Sequence, residues 1–438
     1  MTNKAEAAIN ELMKIHPKGF DLSLDRIRGL LDRMGNPQDK MPPVIHVAGT
    51  NGKGSAIAFA RALLEAQGLR VHVHTSPHLV NWHERYRLAG ILVSDDMLAD
   101  AIDRVAVANA GEPITVFEVL TAVTFVLFSE NPADICLIEV GLGGRFDATN
   151  VIADDAVAVS VITPVAMDHE AYLGDTVAKI AFEKAGIIRP RTPVVVGPQD
   201  DEALEVIERQ AAKNLASVEA AGQHYSATLQ DGRMLYQAED VLYDVAPPHL
   251  PGRHQIDNAA TAITAVRRFL AGRGQELSAD TVEAGLAAAT WPGRLQAVQS
   301  GALKERLGED AELWIDGGHN PHAAAVVADW LGGLQQRDPR PVTLIAGMLN
   351  TKDPSGYFEV LAPLSPHVIA VPIISSDAGV PVDELAEVAG SAGLKTSIAN
   401  SLREAIDMAK SDEPTRVLIA GSLYLAGDAL ALNETPPT

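Results

Sequence analysis

The sequence predicts an α/β protein with a mostly parallel sheet, followed by a second, smaller α/β domain. Short β-branched runs alternate with helical patterns along the 438-residue chain, as crossovers between parallel strands require. The alternation stops at Trp291–Arg294, where Pro292 and Gly293 interrupt it, and then begins again. A chain of this length exceeds what one hydrophobic core usually supports. We therefore expect two domains, at residues 1–295 and 296–438.

The first domain shows the alternation most clearly. Runs rich in β-branched residues predict strands at 43–48, 70–74, 134–140, 156–162 and 193–197. Helical patterns predict helices near 53–67, 95–109, 115–130, 175–186 and 200–213. Residues 223–247 indicate a small antiparallel insertion, and a helix is expected at 255–270.

The second domain repeats this pattern on a smaller scale. Strands are expected, with helices between them, at 313–316, 342–347, 367–371 and 417–421. No internal repeat is present. The low-complexity residues 434–438 are expected to fray.

Composition excludes several classes of function. The chain has 35 Lys and Arg against 57 Asp and Glu, so its net charge is −22. This balance argues against a nucleic-acid partner, and local cations or a metal must meet any anionic substrate. Cys136 is the only cysteine, which fits a reducing compartment. Without a transmembrane-length apolar run or a signal-peptide core, the sequence predicts a cytoplasmic enzyme that binds no membrane.

The segment His46–Ser55 is the most informative stretch of the sequence. A strand-like run ends in a glycine-rich turn that carries Lys53, and a small-residue helix follows. Backbone N–H groups, the helix N-terminus and the lysine together form a phosphate-binding arrangement, and Ser55 offers a hydroxyl to magnesium. The pattern departs from the strict phosphate-loop motif at Val47 and Gly54. A plain glycine-rich turn is the alternative to a nucleoside-triphosphate site.

Three later motifs each place a charged or titratable side chain at or after the end of an apolar strand or helix. Glu139 ends an apolar strand, where open α/β sheets bind ligands, and magnesium could offset the cost of burying it. His169 follows the next predicted strand, although a histidine with an ordinary loop role is the alternative. Lys184 follows Glu183 at the end of an apolar helix, a costly place for an unpaired charge.

The ordered set of motifs resembles folylpolyglutamate synthase/dihydrofolate synthase, a branch of the Mur ligase superfamily. The resemblance covers roughly residues 20–425. The motifs that carry it are Gly49–Ser55, Thr75–Leu79, Glu139–Arg145, Asp168–His169, Glu183–Ile187, Trp291–Arg294, Asp316–Pro321 and Gly347–Asp353. It implies a P-loop ATPase domain of the Mur-ligase type, followed by a smaller Rossmann-like domain.

The resemblance also implies a reaction. An ATP-dependent ligase would activate the carboxylate of dihydropteroate, or of a tetrahydrofolate glutamate tail, as an acyl phosphate. It would then couple that carboxylate to the amino group of L-glutamate. A monomer with ATP and two Mg²⁺ ions is expected, and a monovalent cation is a further candidate cofactor.

The resemblance also assigns a role to each of the following residues. The nucleotide-binding residues would be Thr50, Asn51, Gly52, Lys53, Gly54, Ser55, Asn258, Arg294 and Asp316. The metal ligands would be Ser55, Glu139, His169 and a carbamylated Lys184. The catalytic residues would be Lys53, His169, Lys184 and Arg294. The alternatives are an ion pair of Lys184 with Glu183 or a neighbouring residue, a linker role for Arg294 and a helix N-cap at Asp316.

The folate end of the site is assigned in the same way. The substrate-binding residues would be Asp21, Leu22, Asp25, Arg26, Ser76, Phe117, Glu118, Arg145, Asp147 and Ala148. Phe117 offers a ring for stacking and Asp147 an acceptor for pterin N–H groups, but core packing of Phe117 is an equal alternative. One departure from the family pattern is Gly317–Gly318, where bulkier residues are common.

Two other classes of function are weighed against this one. A P-loop switch would need an Asn-Lys-x-Asp guanine motif, and Thr351–Asp353 lacks the required spacing. A peptidoglycan-precursor ligase needs a nucleotide-sugar domain ahead of the phosphate loop, and the residues before Gly49 are too few for one. Within the folate branch the motifs at Asp21–Leu22 and Arg145–Ala148 favour both activities over a folylpolyglutamate synthase alone.

Overall fold

The computed structural model describes residues 4–13 and 23–438, and the chain divides into two compact units. The first unit takes the chain up to residue 78, together with 82–249 and 256–290. The second takes 79–81, 250–255 and 291–438. The boundary expected at 295 therefore lies inside the last segment of the second unit. The two short earlier segments lie far from it in sequence, so a linear pattern cannot reveal them.

The helices lie where apolar or small-residue patterns predict them, with several additional ones. They are α1 (Lys4–Met13), α2 (Asp25–Arg33), α3 (Lys53–Ala66), α4 (Asp95–Asn109), α5 (Val116–Glu130), α6 (Glu170–Leu173), α7 (Val177–Ala185), α8 (Asp201–Lys213), α9 (His254–Ala271), α10 (Ala279–Ala288), α11 (Ala302–Leu307), α12 (Pro321–Arg337), α13 (Pro354–Leu361), α14 (Val382–Ser391), α15 (Leu402–Met408) and α16 (Leu423–Leu432). Within the described part of the chain, none combines the length and apolar character needed to cross a bilayer.

The strands include every one that the sequence predicts. They are β1 (Val44–Ala48), β2 (Val71–His74), β3 (Tyr86–Leu88), β4 (Ile91–Leu92), β5 (Ile135–Glu139), β6 (Val157–Ile162), β7 (Val194–Val196), β8 (Val218–Ala220), β9 (Tyr225–Gln230), β10 (Arg233–Ala238), β11 (Val241–Val245), β12 (Gln296–Val298), β13 (Glu312–Ile315), β14 (Val342–Ala346), β15 (His367–Ala370), β16 (Lys395–Ile398) and β17 (Arg416–Ala420).

The first unit is built on an eight-stranded sheet with the order β4-β3-β2-β5-β1-β6-β7-β8. All neighbours from β2 to β8 are parallel, while β3 and β4 add an antiparallel edge. Every residue of β1 and β5 is buried, as expected for central strands covered on both faces. The carboxyl ends of β1 and β5 therefore lie side by side, with Val47 opposite Glu139.

Helix α5 forms much of the core on one face of this sheet. Eleven of its residues are buried, from Glu118 to Phe128. Its first turn is fixed by a capping box, in which the Thr115 side chain accepts from the Glu118 N–H and Glu118 accepts from the Thr115 N–H.

The predicted insertion is confirmed as a three-stranded antiparallel sheet with the order β11-β10-β9. Its tyrosines Tyr225 and Tyr236 hydrogen-bond through their hydroxyls to Thr261 and Thr264 of α9. These bonds fasten the insertion to the helix that also carries Asn258.

The second unit contains a six-stranded sheet with the order β12-β13-β17-β14-β15-β16. The four predicted strands occupy its centre and are parallel to one another. The edge strands β12 and β16 are not predicted because they lack an apolar run. No residue of β16 is buried, and only Val298 is buried in β12.

Candidate active site

The phosphate loop connects β1 to α3, as predicted. The Thr50 and Asn51 N–H groups donate to the Pro164 carbonyl, at 2.9 and 3.2 Å. The Thr50 hydroxyl donates to the Ala166 carbonyl at 3.0 Å. Ser55 is buried in the first turn of α3. The loop is thus held against residues 164–166, which lead directly to the predicted Asp168–His169 motif.

Gly52 brings the loop against the predicted nucleotide-binding residue Asn258. Its φ of +84° lies in the left-handed region, and a Cβ there would stand 2.5 Å from Asn258 Oδ1. Only glycine allows both the backbone turn and this approach. The structure therefore brings Asn258 to the phosphate loop although the two residues lie far apart in sequence.

Replacing Gly52 by alanine is expected to raise KM for ATP about tenfold, because strain and the Asn258 clash together displace the loop. Gly68→Ala is the matched control, since Gly68 also has a φ of +84° but a Cβ there would meet nothing within 4 Å. Initial rates at varied ATP measure the effect. Equal KM values for the two variants would contradict this role of Gly52.

Lys53 and Glu139 lie together at the carboxyl ends of β1 and β5. Lys53 Nζ donates to the carbonyls of Gly49 and Thr50, at 3.0 and 3.2 Å, and lies 4.0 Å from Glu139 Oε1. The other carboxylate oxygen, Oε2, accepts from the Ser76 N–H at 3.1 Å. Glu139 is buried, so this lysine and this N–H help to stabilise a charge that burial disfavours.

Ser76, a predicted substrate-binding residue, lies beside Glu139. Its backbone holds Glu139, and its Oγ is buried without a hydrogen-bond partner among the described residues. A buried hydroxyl oxygen beside a carboxylate is an available ligand for a hard cation. Sequence reasoning misses this proximity because Ser76 lies on another connection of the sheet.

Lys184 reaches the same loop from α7. It is buried, and its Nζ donates to the Gly49 carbonyl at 2.9 Å. Burial and, less strongly, the nearby Lys53 charge lower the pKa of Lys184 to about 7, although Asp168 and Asp147 oppose the shift. The alternative ion pair with Glu183 is not formed, because Glu183 pairs with Arg145 at 2.8 Å.

His169 lies next to Asp168 after β6, with its Nε2 3.9 Å from Asp168 Oδ1. Its φ of +54° is unusual for a residue with a side chain. Asp168 also acts electrostatically on Lys184, so the two predicted motifs are neighbours. The described residues hold no group of three or more His, Cys, Asp or Glu arranged for a metal. A magnesium site that relies on phosphate, water and hydroxyl oxygens needs no such group.

The predicted folate residues are only partly brought together. Arg26 Nε donates to Glu118 Oε2 at 3.1 Å, so these two side chains contact each other. The Phe117 ring lies against Gly141, where a Cβ would stand 2.3 Å from Phe117 Cζ. Asp25 is exposed at the start of α2. Asp21 and Leu22 lie outside the described residues.

Arg145, Asp147 and Ala148 follow the glycine loop after β5. The Arg145 guanidinium lies over the Phe146 and Phe182 rings, 4.4 and 5.0 Å from their centroids. Ala148 is buried. Asp147 is also buried, and its carboxylate accepts four hydrogen bonds from its own loop. Burial raises the pKa of Asp147 although these donors oppose the shift. The structure thus gives Asp147 a supporting role in the loop, and a direct pterin contact remains a prediction.

In the second unit, Asp316 is placed beside Arg294. Its Oδ2 accepts from the Leu295 N–H at 2.9 Å and its Oδ1 from the Gly318 N–H at 2.7 Å. Asp316 is not the helix cap that the alternative proposed, because Asn320 caps α12. A Cβ at Gly317 would stand 2.7 Å from Arg294 Nη1, which gives the departure from the family pattern a steric reason.

His254 is a polar residue of this unit that sequence patterns do not single out. Burial lowers its pKa to about 4, and Asp316 and Arg294 act on it electrostatically. Its Nδ1 is buried without a hydrogen-bond partner in the described part of the chain. The short segment Gly252-Arg253-His254 gives no periodic or motif signal that could have identified it.

Comparisons with known proteins agree with this arrangement. Residues 47–266 match the model of the Mur ligase middle domain, and 299–432 match that of the dihydrofolate synthetase C-terminal domain. A dihydrofolate synthase/folylpolyglutamate synthase of Mycobacterium tuberculosis is 35% identical over 461 aligned positions, covering 95% of this chain and 91% of that protein.

Two solved structures share both the sequence similarity and the fold. Escherichia coli FolC in complex with DHPP and ADP has a TM-score of 0.85 and 30% identity, over 99% of this chain and 98% of that one. A bifunctional folylpolyglutamate synthase/dihydrofolate synthase with Mn, AMPPNP and L-glutamate bound has a TM-score of 0.84 and 30% identity, over 98% of each chain. The chain therefore belongs to the dihydrofolate synthase/folylpolyglutamate synthase family of Mur ligases, which are ATP-dependent ligases that add glutamate to folates.

Proposed function

We propose that this chain carries both activities of its family, joining L-glutamate to dihydropteroate and to the glutamate tail of tetrahydrofolates. The observation that carries the ligase chemistry is the convergence of Lys53, Lys184 and Glu139 on the phosphate loop, where two lysines donate to the Gly49 carbonyl. The relatives named for both activities support the use of both acceptors. A folylpolyglutamate synthase without the first activity is the alternative.

The chemistry needs positioning more than covalent help from the protein. An oxygen of the substrate carboxylate attacks the γ-phosphorus of ATP, and the bond to ADP breaks to leave an acyl phosphate. The glutamate amine then attacks the acyl carbon, loses a proton, and phosphate departs. In this proposal the phosphate loop N–H groups and Lys53 orient the triphosphate and balance its charge.

The residues around Glu139 fit a divalent cation. The Glu139 carboxylate lies beside the Ser76 backbone, whose side-chain oxygen has no hydrogen-bond partner within residues 4–13 and 23–438, and Ser55 is at the start of α3. Such an ion, when bound, would neutralise phosphate charge. The solved relative with Mn and AMPPNP bound supports this assignment. A second ion near His169 and a monovalent cation remain predictions.

Lys184 is proposed to react with CO₂ to form a carbamate. About half of the lysine side chains with a pKa of about 7 are uncharged amine at pH 7, and only the amine can bond to the carbon of CO₂, with release of one proton. Carbamylation would place an anion where an ammonium is costly. Nucleotide contacts by Asn258, Arg294 and Asp316 are proposed on the family resemblance and on the contacts described above.

The remaining parts of the proposal concern location and assembly. We infer a cytoplasmic enzyme that acts as a monomer on small-molecule substrates. The single cysteine, Cys136, is buried in β5, which fits a reducing compartment. Size-exclusion chromatography with light scattering tests the monomer, and a stable dimer would contradict it.

Glutamate-dependent ADP release is expected with either dihydropteroate or tetrahydrofolate as the acceptor. Purified protein with ATP, magnesium and glutamate is assayed with each acceptor in turn. Omission of glutamate is the control, because a P-loop switch would hydrolyse nucleotide without it. Release with tetrahydrofolate alone would indicate the single-activity alternative, and release without glutamate would contradict ligase activity.

A further inference from the structure

A buried histidine interrupts the apolar strand that leads into the phosphate loop. His46 lies in the middle of β1, is fully buried, and stands opposite Ile138 of β5. His74 of β2 is opposite the same Ile138 from the other side, so both histidines share one face of the sheet. Burial of two imidazoles in central strands costs free energy unless their nitrogens make hydrogen bonds.

The hydrogen bonds of Asp147 indicate the direction of the bond between Asp147 and the Thr149 hydroxyl. Its Oδ2 accepts from the Gly141 and Leu142 N–H groups at 3.0 and 2.9 Å. Its Oδ1 accepts from the Thr149 N–H at 3.0 Å and from the Thr149 hydroxyl at 2.5 Å. Three of the four partners are backbone N–H groups, which can only donate, and the Thr149 hydroxyl donates as the fourth, so the arrangement fits an ionised carboxylate.

The same bonds determine the tautomer of His46. A hydroxyl has one proton, and the Thr149 hydroxyl gives it to Asp147. The contact of 2.8 Å between His46 Nε2 and Thr149 Oγ1 therefore requires the proton to be on Nε2. Burial lowers the pKa of His46 to about 3, so the ring is neutral and Nδ1 carries no proton.

We propose that His46 is a positioning residue, which acts through Thr149 to hold the Asp147 carboxylate and, through it, the loop Gly141–Leu142 directly after Glu139. The His46 Nε2–H orients the Thr149 oxygen, whose hydroxyl proton is then directed at Asp147. Asp147 in turn fixes two consecutive N–H groups beside the Phe117 ring. His46 touches no substrate in this arrangement.

The consequence for activity rests on the proposed function, because Asp147 and Phe117 are predicted folate residues. Asp147 also acts electrostatically on Lys184, so a shift of its carboxylate reaches two parts of the site. Loss of order in this loop should raise KM for the folate acceptor more than KM for ATP, because ATP is bound mainly by the phosphate loop.

His46→Leu and His46→Gln are the informative pair of variants. Leucine removes the donor, and we expect KM for the folate acceptor to rise about tenfold, with a smaller change in KM for ATP. Glutamine can place an N–H donor near the position of Nε2 and should restore most of the loss. If His46 only fills space, His46→Gln and His46→Leu should have the same KM for the folate acceptor. That outcome would overturn the proposal.

His74→Leu is the matched control. His74 is equally buried on the same face, but its Nδ1 bonds to Thr124, whose hydroxyl also contacts the Leu120 carbonyl and is not connected to Asp147. Its replacement should lower stability without the selective rise in KM for the folate acceptor. An equal rise in both leucine variants would contradict the specific path through Thr149.

A double-mutant cycle and NMR complete the test. Thr149→Val should raise KM for the folate acceptor as His46→Leu does. The double variant should have the same KM for this acceptor as Thr149→Val alone, and additive effects of the two substitutions would overturn the proposal. Nitrogen NMR of wild-type protein should show His46 protonated at Nε2, independently of whether any variant folds. A proton on Nδ1 would refute the proposed bond, whereas wild-type protein inactive on folates would refute only the proposed function.

Discussion

Replacement of Glu139 by glutamine is expected to reduce kcat about a thousandfold, since one buried charge at the phosphate site is removed while shape is kept. Glu139 is buried, lies 4.0 Å from Lys53 Nζ and receives the Ser76 N–H. Glutamine retains an acceptor for Ser76 but supplies no negative charge for a cation. Steady-state rates at saturating ATP, acceptor and glutamate measure the effect.

Glu219→Gln is the matched control for this substitution. Glu219 is a buried carboxylate in β8 of the same sheet, where it forms an ion pair with Arg268. Its replacement should lower the melting temperature but leave kcat within about twofold of wild type, because it lies outside the proposed site. Rates near wild type for Glu139→Gln would refute the proposed role of Glu139. A comparable loss of kcat in both variants would show that the effect is structural.

The parts of the site that the sequence predicts are those encoded by consecutive residues. The phosphate loop and Glu139 each follow a run of buried strand residues, and parallel strands bring their carboxyl ends to one edge. The pattern therefore predicts both the elements and their proximity. Lys184 is recognisable because an ammonium in an apolar helix is costly, and the structure confirms that the side chain is buried.

The parts that the sequence does not predict depend on contacts between distant segments. Nothing near Ser76 indicates that its N–H bonds to Glu139, and nothing near Glu118 indicates that it pairs with Arg26. Short edge strands such as β16 are not predicted from the sequence because their residues do not form an apolar run. The sequence presents His46 only as part of an apolar strand, and its role depends on Thr149, which lies 103 residues further along the chain.

Lys184→Ala is expected to lower kcat at least about a hundredfold and to be partly rescued by formate or acetate, which replace the carbamate charge. Lys179→Ala is the control on the same helix, because Lys179 is exposed and pairs with Asp175. That variant should keep its activity and gain nothing from added carboxylates. A lack of rescue, together with normal rates for wild-type protein in CO₂-free buffer, would refute carbamylation.

The pH dependence of wild-type reactivation provides a second test of the same lysine. With a folded pKa of about 7, about a tenth of the Lys184 side chains are uncharged amine at pH 6 and about nine-tenths at pH 8. Decarbonated enzyme should therefore regain activity several-fold faster at pH 8 than at pH 6, at equal dissolved CO₂. Isotopically labelled bicarbonate should give a carbamate signal in wild-type protein and none in Lys184→Arg.

The pH dependence of the free energy of unfolding provides a third test of the buried Lys184. In CO₂-free buffer the unfolded chain, with an ordinary lysine pKa near 10.5, binds more protons than the folded chain above about pH 7. The free energy of unfolding should therefore gain a contribution that rises from about pH 7 to about pH 10.5, and Lys184→Met should abolish it. Because the carbamate forms on the folded chain, added bicarbonate should raise the free energy of unfolding of wild-type protein further and leave that of Lys184→Met unchanged. A rise that persists unchanged in Lys184→Met would show that Lys184 is not the group responsible.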